Sequence, residues 1–253
     1  MNGEERRFHT RLQKTSLSVA EARSYWTYWT PDESKDVIAM RAFEERWFGA
    51  RSAVRVRILL ESLRARFDAF PEAFSVLRRW REIDPGTRTL VCHWHLQLSD
   101  PLYRAFTGEL LPSLRRTGQT RTSRGEVLRW MTTIEATRWG PASRIQLASK
   151  LLTSAREAGL VGPGQGTRPI LAPVVPDISL GYLLHVLRGV RVTGTLTENP
   201  YTASVGLAGE ALEDRLSRLP GLNYRKQGGV AEFEWGMPTL SAWAEALLIP
   251  EVA

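Results

Sequence analysis

Between Ser123 and Val174 the chain places helix starts and stops in an order that few folds accommodate. Ser123 and Glu126 fit the S-x-x-E capping box, which predicts a helix running to about Thr137. Trp139-Gly140-Pro141 interrupts it. A second helix is then predicted from near Ser143 to Gly159, with Ile145, Leu147, Ala148, Leu151, Leu152 and Ala155 as its buried face. Gly162 to Gly166 makes a tight excursion, and Arg168 to Val174 reads as a returning strand. Helix, helix, glycine turn and strand is the order that a winged helix-turn-helix needs.

Upstream, apolar spacing predicts further helices. Leu17, Val19, Ala22, Tyr25, Trp26 and Trp29 recur at intervals of two to four until Thr30-Pro31. Asp32 is placed to cap a helix through Trp47, stopped by Gly49. From Ser52 to Phe67, Val56, Leu59, Leu60, Leu63 and Phe67 make one stripe, with Arg51, Arg55 and Arg66 away from it and Arg57 and Arg64 flanking. Asp84-Pro85-Gly86 reads as a turn and sub-domain edge. Asp100-Pro101 reads as an N-cap with proline at the first helical position, opening a helix that Pro112 bends. The polar, basic Arg115 to Arg124 stretch is expected to be a linker or exposed loop.

Downstream, Tyr201 to Leu219 is predicted helical, with Glu210, Glu213 and Asp214 exposed. If Gly228-Gly229 is a two-residue hairpin loop, Gln227 faces Val230, Arg225 faces Glu232, Tyr224 faces Phe233 and Leu222 faces Trp235. That register puts the apolar pairs on one face and the charge pair on the other. The expected fold is mainly α, with helix-turn-helix-like units and small β-hairpin wings. The expected division is a helical domain over residues 1–114 and a winged-helix-like domain over residues 115–253.

The 253 residues are 43% hydrophobic, which excludes disorder as the main state. One cysteine, Cys92, leaves no internal bridge and no thiolate zinc cage, consistent with a reducing cytoplasm. The most apolar window, Pro169 to Leu187, is broken by Pro173, Pro176 and Asp177, so no membrane span is expected. Charge is the more telling property. The net charge is +7, yet Arg115 to Arg191 holds twelve basic residues against four acidic ones, whereas Thr195 to Ala253 holds four basic against eight acidic. A basic patch of that kind favours a polyanion, and arginine, thirty of the 34 basic residues, grips phosphate in bidentate fashion. The acidic closing unit is a poor surface for nucleic acid.

Four constellations bear on chemistry. His93-Trp94-His95 would put two imidazoles on one side of a strand, but a metal site needs a further ligand and only Asp100 is near; packed or hydrogen-bonding histidines are expected. GPGQGTR, residues 162 to 168, fails both G-x-x-x-x-G-K-[ST] and G-x-G-x-x-G, and reads either as a wing turn whose backbone amides and Arg168 approach a DNA phosphate or as an ordinary hairpin turn. No hydrolase elbow, zinc-protease helix or carboxylate pair stands out, so no enzyme and no cofactor are expected. For nucleic acid the candidates are Arg51, Ser52, Arg55 and Arg57 at the start of one amphipathic helix, and Arg144, Gln146, Lys150 and Arg168 on the second candidate helix and its turn. Trp26, Trp29, Trp47 and Trp80 are expected in the core.

Three stretches, RLQKTSLSVAEARSYWTYW (11–29), ARSAVRVRILLESLRARF (50–67) and WGPASRIQLASKLLTSAREAGLVGPGQGTRPILAPVVPDISLGYLLHVLR (139–188), together with the closing TASVGLAGEALEDRLSRLPGLNYRKQGGVAEFEWGM, resemble the BrxA family of BREX bacteriophage-exclusion systems. The resemblance implies a cytosolic, mostly helical protein with helix-turn-helix-like units, similar in part to the RNA-binding factor NusB. It implies duplex DNA and other proteins of the defence system as partners. RNA binding of the NusB kind, or an interaction scaffold that never touches nucleic acid, are the two rival functions.

Overall fold

A helix buried on every side needs neighbours on every side, and the sixth helix of this protein sets the architecture in that way. In the computed structural model, which describes residues 3–31, 33–49, 51–135 and 139–248, every residue from Leu90 to Asp100 is buried. Around this segment the chain is mainly α-helical. The first half contributes α1 (Arg11–Lys14), α2 (Val19–Tyr28), α3 (Lys35–Glu44), α4 (Ala53–Phe67), α5 (Pro71–Arg79) and the central α6 (Pro85–Ser99). A broken helix follows: α7 (Pro101–Ala105), a π turn (Phe106–Leu110) and α8 (Leu111–Arg116). Then come β1 (Arg121–Ser123), α9 (Arg124–Glu135), α10 (Pro141–Glu157) and β2 (Thr167–Pro169). The closing part holds α11 (Asp177–Gly189), α12 (Pro200–Ser204), α13 (Glu210–Leu216), β3 (Leu222–Gln227), β4 (Val230–Trp235) and α14 (Leu240–Leu247). No described helix is long and apolar enough to cross a membrane.

Asp84, read from the sequence as a turn residue, caps α6 instead: its Oδ1 accepts from Thr87 N at 2.9 Å, with Pro85 at the first helical position. Asp100 repeats the device for α7, accepting from Tyr103 N at 2.9 Å. Within α6, His93 and His95 are two residues apart on a helix, not a strand, and so point about 200° apart. His93 bonds Tyr103 Oη at 2.9 Å and Ser204 Oγ at 2.8 Å. His95 donates from Nδ1 to the Arg66 carbonyl (3.1 Å), which leaves Nε2 to accept from Tyr182 Oη (2.8 Å). Both histidines are satisfied packing residues. Trp26, Trp47 and Trp80 lie in the core and Trp29 packs against it.

Several boundaries differ from the sequence expectation. Ser34, not Asp32, caps α3, accepting from Val37 N at 3.3 Å; Asp32 lies outside the described residues, as does Thr137 at the expected end of α9. Arg66, expected on the open side of α4, is 3% exposed. It donates to the carbonyls of Leu17 (2.6 Å) and Ser16 (2.7 Å) and to Thr15 Oγ1 and Ser62 Oγ. Pro112 has no N–H to give Gly108, and the helix answers with a π turn over Phe106–Leu110. The turn also brings Gly108 against Pro200, close enough that a Cβ would sit 2.4 Å from the proline's own.

The supposed 115–124 linker is structural. Arg121–Ser123 pairs antiparallel with Thr167–Pro169, so the first sheet joins strands far apart in sequence. Ile170, one residue further, bridges Val161, which places residues 167–171 between two neighbours. The predicted helix from Tyr201 to Leu219 is two helices, α12 and α13, broken at Val205–Gly209. The second hairpin has the register read from its sequence, Leu222↔Trp235 to Gln227↔Val230, turning on Gly228 and Gly229 at φ 55° and 85°.

One hydrophobic cluster extends from Leu12 to Ala244, and the 114/115 boundary expected from the sequence falls inside α8. Side chains also tie early residues to late ones. Buried Glu4 accepts from Tyr201 Oη and Thr193 Oγ1, both at 2.5 Å, and lies 3.5 Å from Arg104 Nε. Glu157 accepts from Ser16 Oγ and Leu17 N, both at 2.9 Å, pinning the strap between α1 and α2 onto the end of α10.

Candidate nucleic-acid interface

The site begins with a cap. Ser123 Oγ accepts from Glu126 N at 3.2 Å, as the S-x-x-E spacing requires, but Glu126 turns away to accept from Gln119 Nε2 at 2.7 Å. The cap therefore starts α9 with Arg124 as its first residue, exposed to solvent. Opposite lies the loop before β2, where Gly166 adopts φ 81°. Between them and the outer side of α10 runs a groove of about 590 Å³, lined by Arg124, Gly125, Ser149, Thr153, Gln165 and Arg168, among others.

Helix geometry sorts the α10 candidates. Arg144 falls in line with Ala148, Leu151 and Ala155, on the azimuth of the buried face, and is half-buried at the first turn. Ile145, expected in the core, is 47% exposed. The two have exchanged places relative to the sequence reading, because α10 starts at Pro141 and its first turn overhangs the core. Gln146 is exposed on the same outer side as Ser149 and Thr153, and Lys150 lies half-buried at its margin. Gln146 and Arg144 point about 200° apart and cannot serve one surface.

The α4 candidates are separate from this groove. Ser52 is the N-cap, its Oγ accepting from Arg55 N at 3.1 Å. Arg51 is exposed ahead of it. Arg55 is exposed and donates to the Lys14 carbonyl at 2.7 Å, toward α1. Arg57, about 200° further round, lines a different groove with Lys35, Asp36, Glu61 and Arg64, between α3 and α4. The structure thus brings Arg168 and the Gln146 side of α10 together, and divides the arginines of α4 between two sides.

Electrostatics select among the basic residues. Arg115 is spent on carbonyls, donating to Leu171 O (2.5 Å) and Ser204 O (2.9 Å), and burial lowers its pKa. Arg121 braces Thr167, and Arg188 lies over the Trp235 ring at 4.8 Å. Arg124, Arg129, Lys150 and Arg168 form no ion pair among the described residues. Arg124 is the residue that sequence reasoning missed. Its signal was the capping serine one position earlier, hidden because its segment read as a linker.

In the closing unit the acidic residues are partly answered: Glu213 pairs with Lys226 and Asp214 with Arg218.

The fold and the site define a mainly helical protein with an arginine-flanked groove built on a helix pair and a short sheet. A family model, BrxA, matches residues 6–185, and the chain belongs to that family. Membership implies a component of the BREX phage-defence systems. No curated protein matches the chain.

Proposed function

We propose that the chain is a non-enzymatic subunit of a BREX system that binds duplex DNA, mainly through phosphate contacts and with little sequence preference. The observation that carries this reading is the groove between Arg124 and Arg168, whose guanidiniums meet no acidic side chain among the described residues. The surrounding order, α8, β1, α9, α10, a bridge at Val161, a loop and β2, supports a winged-helix reading in which α10 would be the recognition helix. The hydroxyls of Ser149 and Thr153 already donate to the carbonyls of Ile145 and Ser149, so the guanidiniums carry the phosphate contacts and Gln146 offers one amide for a base edge, a composition that positions a protein more than it reads sequence.

Fluorescence anisotropy with a labelled duplex, titrated over salt, tests this. The affinity should fall on a log-log slope of about −0.9 for each phosphate neutralised. A flat response, or no binding at low salt, would end the proposal. Structured RNA as competitor is the second arm, and an RNA preference above about tenfold would favour the NusB-like function instead.

A further inference from the structure

α10 turns one face outward. Ala142, Ile145, Gln146, Ser149, Thr153 and Arg156 fall within about 100° of arc, opposite the buried Ala148, Leu151 and Ala155. Ser149 and Thr153 commit their hydroxyls to the Ile145 and Ser149 carbonyls, each at 2.9 Å. That leaves three side chains at the N-terminal end of the face. Ala142 is exposed and small, Ile145 is 47% exposed, and the exposed Gln146 amide forms no hydrogen bond among the described residues. The groove between Arg124 and Arg168 opens on the same side, since Ser149 and Thr153 belong to both. No acidic side chain stands on the face among the described residues; Glu157, just past its end, is turned onto Ser16 and Leu17.

The base edges of a major groove ask for different partners. Guanine is read by Arg or Lys on O6 and N7, cytosine by a carboxylate accepting from N4, adenine by Gln or Asn on N6 and N7, and thymine by apolar contact with its methyl group. The N-terminal turns of α10 present neither of the first two. Arg144 points about 200° away from Gln146, and Lys150 is half-buried at the margin a turn further along. Arg156 lies about 15 Å beyond Gln146 along the axis, at the other end of the helix. Gln146 has the bidentate amide that fits adenine, Ile145 the apolar surface that fits a thymine methyl, and Ala142 is too small to hold the helix off the bases.

Resting on the duplex-DNA reading above, we propose that the small sequence preference of this protein is for A·T pairs read in the major groove. Gln146 meets the adenine edge and Ile145 the thymine methyl, while Arg124 and Arg168 hold the flanking phosphates. In that docking the N-terminal end of α10 enters the groove, as recognition helices do. These two side chains add discrimination, and phosphate neutralisation keeps the bulk of the affinity.

The experiment is fluorescence anisotropy with two labelled duplexes of equal length, one of A·T pairs and one of inosine·cytosine pairs. Both show the same hydrogen-bonding groups in the minor groove, and the second shows the guanine and cytosine pattern in the major groove. The A·T duplex should bind about tenfold more tightly, with the same salt slope. Within it, uracil for thymine removes only the methyl group and 7-deazaadenine for adenine only N7, and each should weaken binding about threefold. Ile145→Ser should lose the response to uracil and Gln146→Ala the response to 7-deazaadenine, both melting like the parent because neither side chain is in the core. The altered duplexes are also read with the parent protein, so the outcome does not depend on the variants folding. Equal affinity for the two duplexes at an unchanged salt slope would overturn the A·T readout and leave the phosphate reading standing, whereas no binding to either at low salt would end both. A preference unmoved by uracil and 7-deazaadenine would belong to DNA shape and would equally overturn the readout.

Discussion

Arg66 is buried, and no carboxylate among the described residues contacts it; two carbonyls and two hydroxyls meet its guanidinium instead. Burial lowers its pKa, yet arginine starts so high that it keeps its charge. Removing it leaves the Ser16 and Leu17 carbonyls enclosed without donors, so Arg66→Met should cost about 3 kcal/mol in urea unfolding. An unchanged midpoint would mean the strap finds other donors. The buried histidines make a second prediction. His93, His95 and His185 are held at about 3, 4 and 4, mainly by burial, against 6.5 when exposed. The unfolded chain therefore binds more protons than the folded one between those limits. Stability from these groups is full above pH 6.5 and is lost as pH falls toward 4, by about 1.4 kcal/mol per pH unit for each histidine that titrates. Urea midpoints measured from pH 7 to 4.5 check this, and a flat profile would contradict it. That His93 and His95 are packed is legible in the sequence, whereas their partners and the burial of Arg66 are not, because the groups they meet lie tens to hundreds of residues away.

Elements differ in how far their own residues define them. The β3–β4 register is legible because two adjacent glycines permit the tight turn and the side-chain alternation then admits one pairing. The α9 cap is legible for the same local reason. The break between α12 and α13 is missed because apolar spacing continues across it, although Gly206 and Gly209 sit there at positive φ. The strand expected from Arg168 to Val174 is present only as Thr167–Pro169, and its pairing with β1 is invisible locally, since three-residue strands 44 residues apart carry no periodicity of their own. With β1 unrecognised, Arg124 had no position, and half the candidate groove was lost with it. The π turn is legible in part, since Pro112 marks the break in the sequence, while the Pro200 that packs on it belongs to a distant helix. Gly108→Ala would push a methyl group into that proline, and thermal unfolding should show a loss of about 2 kcal/mol. A variant as stable as the parent would mean that the two segments separate easily.

For the molecule as a whole, the charge excess of the middle of the chain divides into arginines used internally and arginines left over, and only the second kind can answer to a polyanion. The double substitution Arg124→Ala/Arg168→Ala should weaken duplex binding by about tenfold or more and flatten the salt slope by about 2, with unfolding unchanged. Arg51→Ala/Arg55→Ala/Arg57→Ala serves as its comparison. Since Arg55 and Arg57 face different ways, the triple variant should lose less affinity than the double one, and a larger loss would move the interface to α4. The phenol that Glu4 finally bonds belongs to a residue 197 positions later. A ribosome adding about 5 to 20 residues per second leaves that carboxylate waiting roughly ten to forty seconds. The backbone beside it can meet Leu98 and Arg104 about a hundred residues sooner, so α6 and α7 receive this segment first and Thr193 and Tyr201 lock it in place last.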